Sequence, residues 1–489
     1  MASLEALRQE RLKKLEILQA AGKEIYPADA ELTHSLSQVK SRFITLEKTG
    51  KSLTVGGRVL AVRGQGALVF VDLDDGTGRL QALLKKGELD HQDLELFAKT
   101  VDVGDFVSVT GTLFVSKRGE KTLLAEGWRM LGKSLRPLPD KWDGLKDTEE
   151  RFRRRYVDSL MNEEVKKRFE LRSKLITELR ALLDKDGFME VETPILQPTP
   201  GGATAVPFVT HHAALDLDLY LRIAPELYLK EMLIGGFPMV YELGRSFRNE
   251  GIDVTHNPEF TTIEAYAAYS SPDEEMKRVE AIFKKLVAKV LKKKVFAYQQ
   301  EKIDFGKKFA RVAFYDLLKR YAMITNPETI GDEELKLKAS QLGVKVEKGM
   351  GREKIFDGIY KKTCRPKLIQ PVFITNYPAA FTPLAKRQKD NPDIIGMFQL
   401  VVGGLELVKG FNELNDPLDQ RERFEEQEKK RQAGDDEAQV KDESFLEAME
   451  YGLPPTTGWG LGIDRLAMLL TNTHNIREVI YFPTLRPRE

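Results

Sequence analysis

Residues 245–266, RSFRNEGIDVTHNPEFTTIEAY, set a polar turn between two apolar runs, PMVYELG before it and FTTIEAYAAY at and beyond its end. That pattern predicts a long antiparallel hairpin whose loop carries Arg248, Asn249, Glu250, Gly251 and His256. Arg248 and Glu250 stand two residues apart near a strand end, so alternation is expected to put them on one face. Such a pair can hold a phosphate with the guanidinium and an amine with the carboxylate. As a bare surface salt bridge it would be worth little. A second hairpin is expected over 398–416, FQLVVGGLELVKGFNELND, turning at Gly403-Gly404, with Glu406 and Glu413 on the returning strand. Antiparallel hairpins with late helices argue for an α+β fold, not a parallel doubly wound sheet.

The chain has 489 residues, which allows more than one domain and a large core. Lys+Arg 76 against Asp+Glu 75 leave a net charge of +1, so any nucleic-acid site must be a local patch. One cysteine, Cys364, excludes an intramolecular disulfide framework and a cysteine-rich zinc site. No apolar run approaches the roughly 20 residues that span a bilayer, and the N-terminus lacks a signal-peptide core. The expectation is a soluble, cytoplasmic protein with no membrane partner.

Residues 3–22 predict a charged amphipathic helix, either docked or laid on RNA through Arg8, Arg11, Lys13 and Lys14. Residues 52–135 read as three strands, a helix and two strands, the order of a five-stranded OB barrel that binds single-stranded nucleic acid or sugars. Arg63, Phe70 and Gln81 fall on its first three strands. An aromatic there stacks a base and Arg or Gln reads a base edge; alternatively Phe70 belongs to the core. GWRMLGKS, 127–134, matches a phosphate-loop pattern, but LRPLPDKW follows it where a helix must begin, so it is rejected.

Residues 1–51 are a lead-in and 136–160 a linker punctuated by Pro137, Pro139 and Gly144, ending in the basic run ERFRRRYVD. That run suits either RNA phosphates or a salt-bridged helix start. Residues 161–489 form the second domain, with a charged helical insertion at about 272–370. Within it come a long helix to residue 186, GFMEVETPIL broken by Pro194, and an N-capped helix from 224 with Glu226 in its first turn. GWGLGIDRLAMLL, 458–470, is a Gly-rich strand entering a helix, where backbone or ligand can approach closely.

GFMEVETP, FRNEG…HNPEF and GLGIDRL resemble the three signature motifs of class II aminoacyl-tRNA synthetases. APELYLKEMLIGGF, THH, PLAK and NELNDPLDQRERFEEQ narrow the resemblance to the lysyl-tRNA synthetase family, over nearly the whole chain. It implies an antiparallel-sheet catalytic domain behind an anticodon-binding barrel, acting on ATP, L-lysine and tRNA(Lys). It also implies Mg2+ as cofactor and a homodimer built through the motif ending at Pro194. By the resemblance, Arg248 holds the lysine carboxylate and the α-phosphate, Glu250 faces the adenine amine and Phe260 stacks on the ring. His256 and Arg465 hold the outer phosphates, and Arg248, His256 and Arg465 are the catalytic set. Gly202, Glu226, Glu264, Tyr266 and Glu413 surround lysine, with Glu226 on the α-amine and Glu413 with Tyr266 on the ε-amine.

Four positions depart from the family pattern. Gln399 stands where a second metal-binding glutamate is usual beside Glu406, Lys409 where an asparagine is common, Val206 where a basic residue is common, and Gly127 where a base-contacting glutamate is often found. Two other functions compete with the ligase. A protein lysyltransferase would lack the barrel at 52–131. An inactive RNA-binding paralogue would not need Arg248, Glu250, Glu406 and Arg465.

Overall fold

Valine and leucine at alternate positions build the strands of residues 53–132. In the computed structural model, which describes residues 3–64, 67–139, 145, 147–347, 349–434 and 438–488, five strands close into a barrel. They are β1 (Leu53–Arg63), β2 (Leu68–Asp74), β3 (Arg79–Lys85), β4 (Phe106–Val115) and β5 (Lys121–Gly132), in the order β1-β2-β3-β5-β4, with β1 pairing β4. The helix His91–Thr100 joins β3 to β4, capped by Asp90. Val55, Val59, Val71, Leu73, Ala82, Val109 and Leu123 fill the interior. The rejected phosphate-loop stretch is strand to Gly132, and the lysine after it is buried structure: Lys133 Nζ lies 2.6 Å from Asp102 and 2.7 Å from Asp105.

The first helix runs Leu4–Ala20. Arg11 is buried and donates to the carbonyls of Ser134, Arg136 and Val103, while Lys14 pairs with Asp102. Those two cations tie the helix to the barrel and are not available to RNA. Residues Met1–Lys146 and Asp147–Glu489 form two units.

The second unit is an eight-stranded sheet. Its order is Ala310–Ala313, Val372–Pro378, Ile394–Val402, Leu405–Asn412, Thr456–Gly462, Glu259–Ala268, Met239–Phe247 and Met189–Glu190. Pairs are antiparallel except at the two edges. The helices Glu163–Lys185 and Pro272–Leu291 share one core with one face of the sheet, through Leu175, Leu179, Val279, Phe283 and Leu286 against Ile263, Phe398, Leu400, Val408 and Trp459. The opposite face carries the site. Among the described residues, no helix is long and apolar enough to cross a membrane.

Three expectations need correction. The insertion does not begin at about 272, because Pro272–Leu291 packs into the main core and Ala310–Ala313 is an edge strand of the main sheet. The charged residues of that helix hide an apolar stripe at Val279, Ile282, Phe283, Leu286 and Val287. The end of the supposed linker is also structural. Thr148–Arg153 and Arg155–Met161 are helices, and the fully buried Arg155 holds Asp158 at 2.8 Å and donates to the Arg477 carbonyl at 2.6 Å. Gly144 lies outside the described residues. Finally, the helix Glu226–Ile234 starts after Pro225 with no side-chain cap.

Candidate active site

The strands Met239–Phe247 and Glu259–Ala268 pair without a break to Phe247 and Glu259, leaving 248–258 as the loop. Arg248 and Glu250 therefore lie beyond the strands, and alternation does not relate them. Arg248 is fixed otherwise: its amide donates to the Pro258 carbonyl at 2.8 Å and its guanidinium sits 5.1 Å from the centre of the Phe260 ring. Its Nε is buried with no acceptor. Burial pulls the guanidinium below its ordinary pKa, against the pull of Glu250, Glu264 and Glu406. A buried N–H without an acceptor, on a permanent cation, calls for an anionic ligand.

Glu250 is exposed. Further round the loop, Asp253 accepts from the amides of Thr255 at 2.6 Å and His256 at 2.8 Å, the turn that Asp commonly makes with residues two and three ahead. Asp253 also lies 2.8 Å from His256 Nδ1, and His256 Nε2 lies 3.0 Å from Arg465 Nη2. The network fits an imidazole protonated at Nδ1 that donates to Asp253 and accepts from Arg465. Sequence reading found His256 and Arg465 but missed Asp253, whose signal was its spacing from the histidine.

The amino-acid pocket is built on rows across the sheet. Thr456–Gly462 runs between Glu259–Ala268 and Leu405–Asn412, so Glu264, Gly460 and Lys409 are directly opposed, as are Tyr266, Gly458 and Phe411. A Cβ on Gly458 would stand 2.2 Å from a Tyr266 ring carbon and 2.5 Å from Glu413 Oε1, so only glycine fits there. Gly202, at φ +82°, packs on Glu226 in the same way: its Cβ would fall 2.8 Å from that of Glu226. The glycines of both stretches let carboxylates close in.

Glu226, Glu264 and Glu413 come together as expected, but with an occupant that the sequence reading missed. Lys230 Nζ, buried, stands 2.6 Å from Glu226 Oε1 and 2.5 Å from Glu413 Oε2. The two carboxylates raise the Lys230 pKa despite its burial. Glu413 is 1% exposed, and neither oxygen makes an aligned hydrogen bond. Burial pushes its carboxyl far above the usual range, with Lys230 opposing and Glu226 adding to the rise. Burial and then the Glu226 charge push Glu264 up to about 8. The Tyr266 hydroxyl donates to Glu264 Oε2 at 3.2 Å, while its ring shares the Gly458 side with Glu413 Oε1.

The metal positions divide. Gln399 and Lys409 are paired across Ile394–Val402 and Leu405–Asn412, and a bulge follows at Leu400/Val401. The bulge returns Glu406 to the face that Lys409 uses, three residues away. Gln399, named as a second ligand, is 7% exposed, and its Oε1 accepts from the Tyr377 hydroxyl at 2.8 Å. That oxygen is the only atom of the side chain suited to magnesium, and one of its two lone pairs is used. Among the described residues, no group of three His, Cys, Asp or Glu is placed to hold a metal. Magnesium often takes one or two carboxylates and completes its shell with substrate phosphates and water. Glu406 offers a full negative charge for that use, and Gln399 only a neutral amide oxygen that already accepts from Tyr377.

Known proteins are similar to this chain in sequence. The family described as tRNA synthetases class II (D, K and N) matches residues 147–486, and the OB-fold nucleic acid binding domain matches 53–131. The lysine–tRNA ligase of Moorella thermoacetica is 47% identical over 98% of this chain and 97% of its own length. Those of Pelotomaculum thermopropionicum and Carboxydothermus hydrogenoformans are 43% and 44% identical, each over 99% of this chain and over 96% and 99% of their own. The chain belongs to the lysyl-tRNA synthetase family of class II synthetases.

The barrel of this synthetase presents a second candidate surface. Val69 and Val71 point inward, so Phe70 points out, opposite Arg63 on β1 and Leu83 on β3. Gln81 is opposite Asp72, which pairs with Arg63 at 2.8 Å. Arg63, Phe70 and Gln81 thus share one outer face, and the core reading of Phe70 fails. Glu126, beside Gly127, falls in a bulge of β5 and accepts from Ser52 at 2.9 Å. Gly127 itself has open space where a side chain would be.

Proposed function

We infer that this chain activates L-lysine with ATP and transfers it to the 3′ end of tRNA(Lys). A lysine carboxylate oxygen attacks the α-phosphorus, the bond to the pyrophosphate oxygen breaks, and lysyl-adenylate forms. The terminal tRNA hydroxyl then attacks the lysyl carbonyl and AMP leaves. Such chemistry needs positioning and charge stabilisation more than a covalent nucleophile. The observation that carries the reading is Glu413, a buried carboxylate whose Oε2 faces Lys230 and whose Oε1 has no hydrogen-bond partner among the described residues, beside Glu226 and Glu264. Buried carboxylates in such number suit a substrate with two ammonium groups.

Arg248, with its unpaired Nε, takes the lysine carboxylate and the α-phosphate. One face of Phe260 is covered by Arg248, which leaves the other for adenine, with Glu250 at the adenine amine. His256 and Arg465 hold the outer phosphates, and Asp253 fixes the imidazole between them. Magnesium bound at Glu406 would neutralise phosphate charge. Lys409, opposite Gln399, supplies an ammonium where a second carboxylate-bound ion would otherwise act; burial pulls its pKa below the ordinary value, with Glu406 opposing. Arg63, Phe70 and Gln81 contact the anticodon. Met189, Ile195 and Leu196, exposed around Pro194, form part of a homodimer contact; a monomer by light scattering, active at assay concentration, refutes that part. With these substrates the enzyme works in the cytoplasm.

The test is amino-acid-dependent ATP–pyrophosphate exchange against all twenty amino acids. Exchange with lysine alone is expected. Exchange with aspartate or asparagine alone sinks the assignment.

A further inference from the structure

Lys230 has no part in the reaction as written, yet it sits at the centre of the carboxylates. Its ammonium takes one oxygen from each of two: Glu226 Oε1 at 2.6 Å and Glu413 Oε2 at 2.5 Å. The rings of Phe411 and Phe445 stand 5.6 and 5.9 Å away and close its remaining side. The other Glu413 oxygen, Oε1, lies on the Gly458 and Tyr266 side, 2.5 Å from where a Gly458 Cβ would be. Glu413 is thus divided between a resident cation and a second partner.

The charges of the pocket add up in a way that explains the division. Glu226, Glu264 and Glu413 carry three negative charges when ionised, and Lys230 cancels one. The other cations nearby face elsewhere: Arg222 pairs with Glu242; Lys409, whose pKa burial lowers, has Glu406 as its largest opposing charge; and Arg248 has an unpaired Nε for a substrate carboxylate. Two negative charges remain for two substrate ammonium groups. We propose that Lys230 is a positioning and specificity-determining residue, a resident ammonium that orients Glu226 and Glu413 and sets the pocket's charge to that of a diamino acid. The proposal rests on the reading that this pocket takes the amino acid. An amino acid with one ammonium would leave one buried carboxylate unbalanced. Without Lys230, lysine itself would leave one unbalanced, and a carboxylate would have to keep a proton.

The experiment uses the full-length enzyme. Lys230→Met is expected to raise the KM for lysine by about 100-fold, in the range for truncating one partner of a buried charge pair. The KM for ATP should stay within about threefold, since no ATP contact is lost. The split between the two KM values is the readout, since Lys230 touches only the carboxylates of the amino-acid pocket. A merely structural role would raise both. If Lys230→Met fails to fold, Lys230→Arg carries the test: its wider fork keeps the charge but displaces the carboxylates, so lysine KM rises while ATP KM stays. Unchanged lysine KM in the folded variant, or equal losses for lysine and ATP, overturns the proposal. Glu413→Gln separates the two levels. If it leaves lysine KM unchanged, the pocket reading itself fails; if it raises lysine KM while neither Lys230 variant does, only the role of Lys230 fails.

Discussion

On the barrel, Arg63, Phe70 and Gln81 stand outside strands whose inward residues already fill the core. Any one of them can be changed without opening a cavity or stranding a charge. In the pocket of the second unit, Glu226, Lys230 and Glu413 are all buried, and two share the third as partner. Removing Lys230 leaves both carboxylates without their shared countercharge, which costs several kcal/mol. A face that reads bases can thus be laid over a finished fold. A pocket that reads ammonium groups must be folded together with its countercharges, so stability and specificity are coupled there.

The largest expected effect lies where that coupling meets the chemistry. Arg248→Ala should lower lysine-dependent exchange by roughly a thousandfold, because it removes a charge-assisted donor from the reacting phosphate. Near-normal exchange by a folded variant would place the reacting phosphate elsewhere.

The next concerns stability. Burial and the Glu226 charge raise Glu264 from an ordinary 4.5 to about 8. Between those values the folded protein holds a proton that the unfolded chain releases, so stability falls as pH rises through the window. The contribution is at most a few kcal/mol, at about 1.4 kcal/mol per pH unit. Thermal unfolding of the empty enzyme at about pH 5 to 8 should show the slope, and Glu264→Gln should flatten it. Saturating lysine should also flatten it, since an ammonium group replaces the proton. A slope that survives Glu264→Gln assigns it to another group.

The barrel should behave in the opposite way. Phe70→Ala should weaken tRNA charging by about 1–3 kcal/mol, the value of one stacked base. Exchange and thermal stability should not change, because Phe70 is outside the barrel core. A fall in stability without a change in charging would turn the comparison around.

The two regions also differ in how far the sequence revealed them. The barrel's strands were legible because apolar residues alternate along each one, and the same alternation puts Arg63, Phe70 and Gln81 on one side once pairing is known. For the pocket, the carboxylates were found through motif resemblance, and Lys230 was not. Its spacing from Glu226 is that of an ordinary i,i+4 helix pair, usually exposed and weak. Only the fold brings Glu413 to the same ammonium. The same limit explains Gln399, whose capture by the Tyr377 hydroxyl depends on two strands meeting in register. The insertion was misplaced for a different reason: Pro272–Leu291 carries enough charge to mask the stripe that buries it.

The smallest expected effect sharpens the comparison most, because it asks whether the phosphate end was also built with a resident cation. Lys409 lies directly opposite Gln399, and the bulge at Leu400/Val401 gives it the same face as Glu406. With a neutral amide at Gln399, its Oε1 already accepting from Tyr377, a carboxylate-bound second ion has no ligand at that position. An ammonium there can act on the triphosphate as a point charge. We propose that this enzyme draws fewer magnesium ions to ATP than a site with two carboxylates does, with Lys409 compensating. Exchange measured against free magnesium should then show Lys409→Asn needing about two- to fivefold more metal, a shift of at most about 1 kcal/mol. Adding Gln399→Glu to Lys409→Asn should recover part of the loss, since a full negative charge is restored beside Glu406. Manganese binding to the enzyme–ATP complex, counted by electron paramagnetic resonance, should rise in the double variant. If the three magnesium curves superimpose and the manganese count stays fixed, Lys409 has no part in the chemistry, and the resident cation is a device of the amino-acid pocket alone.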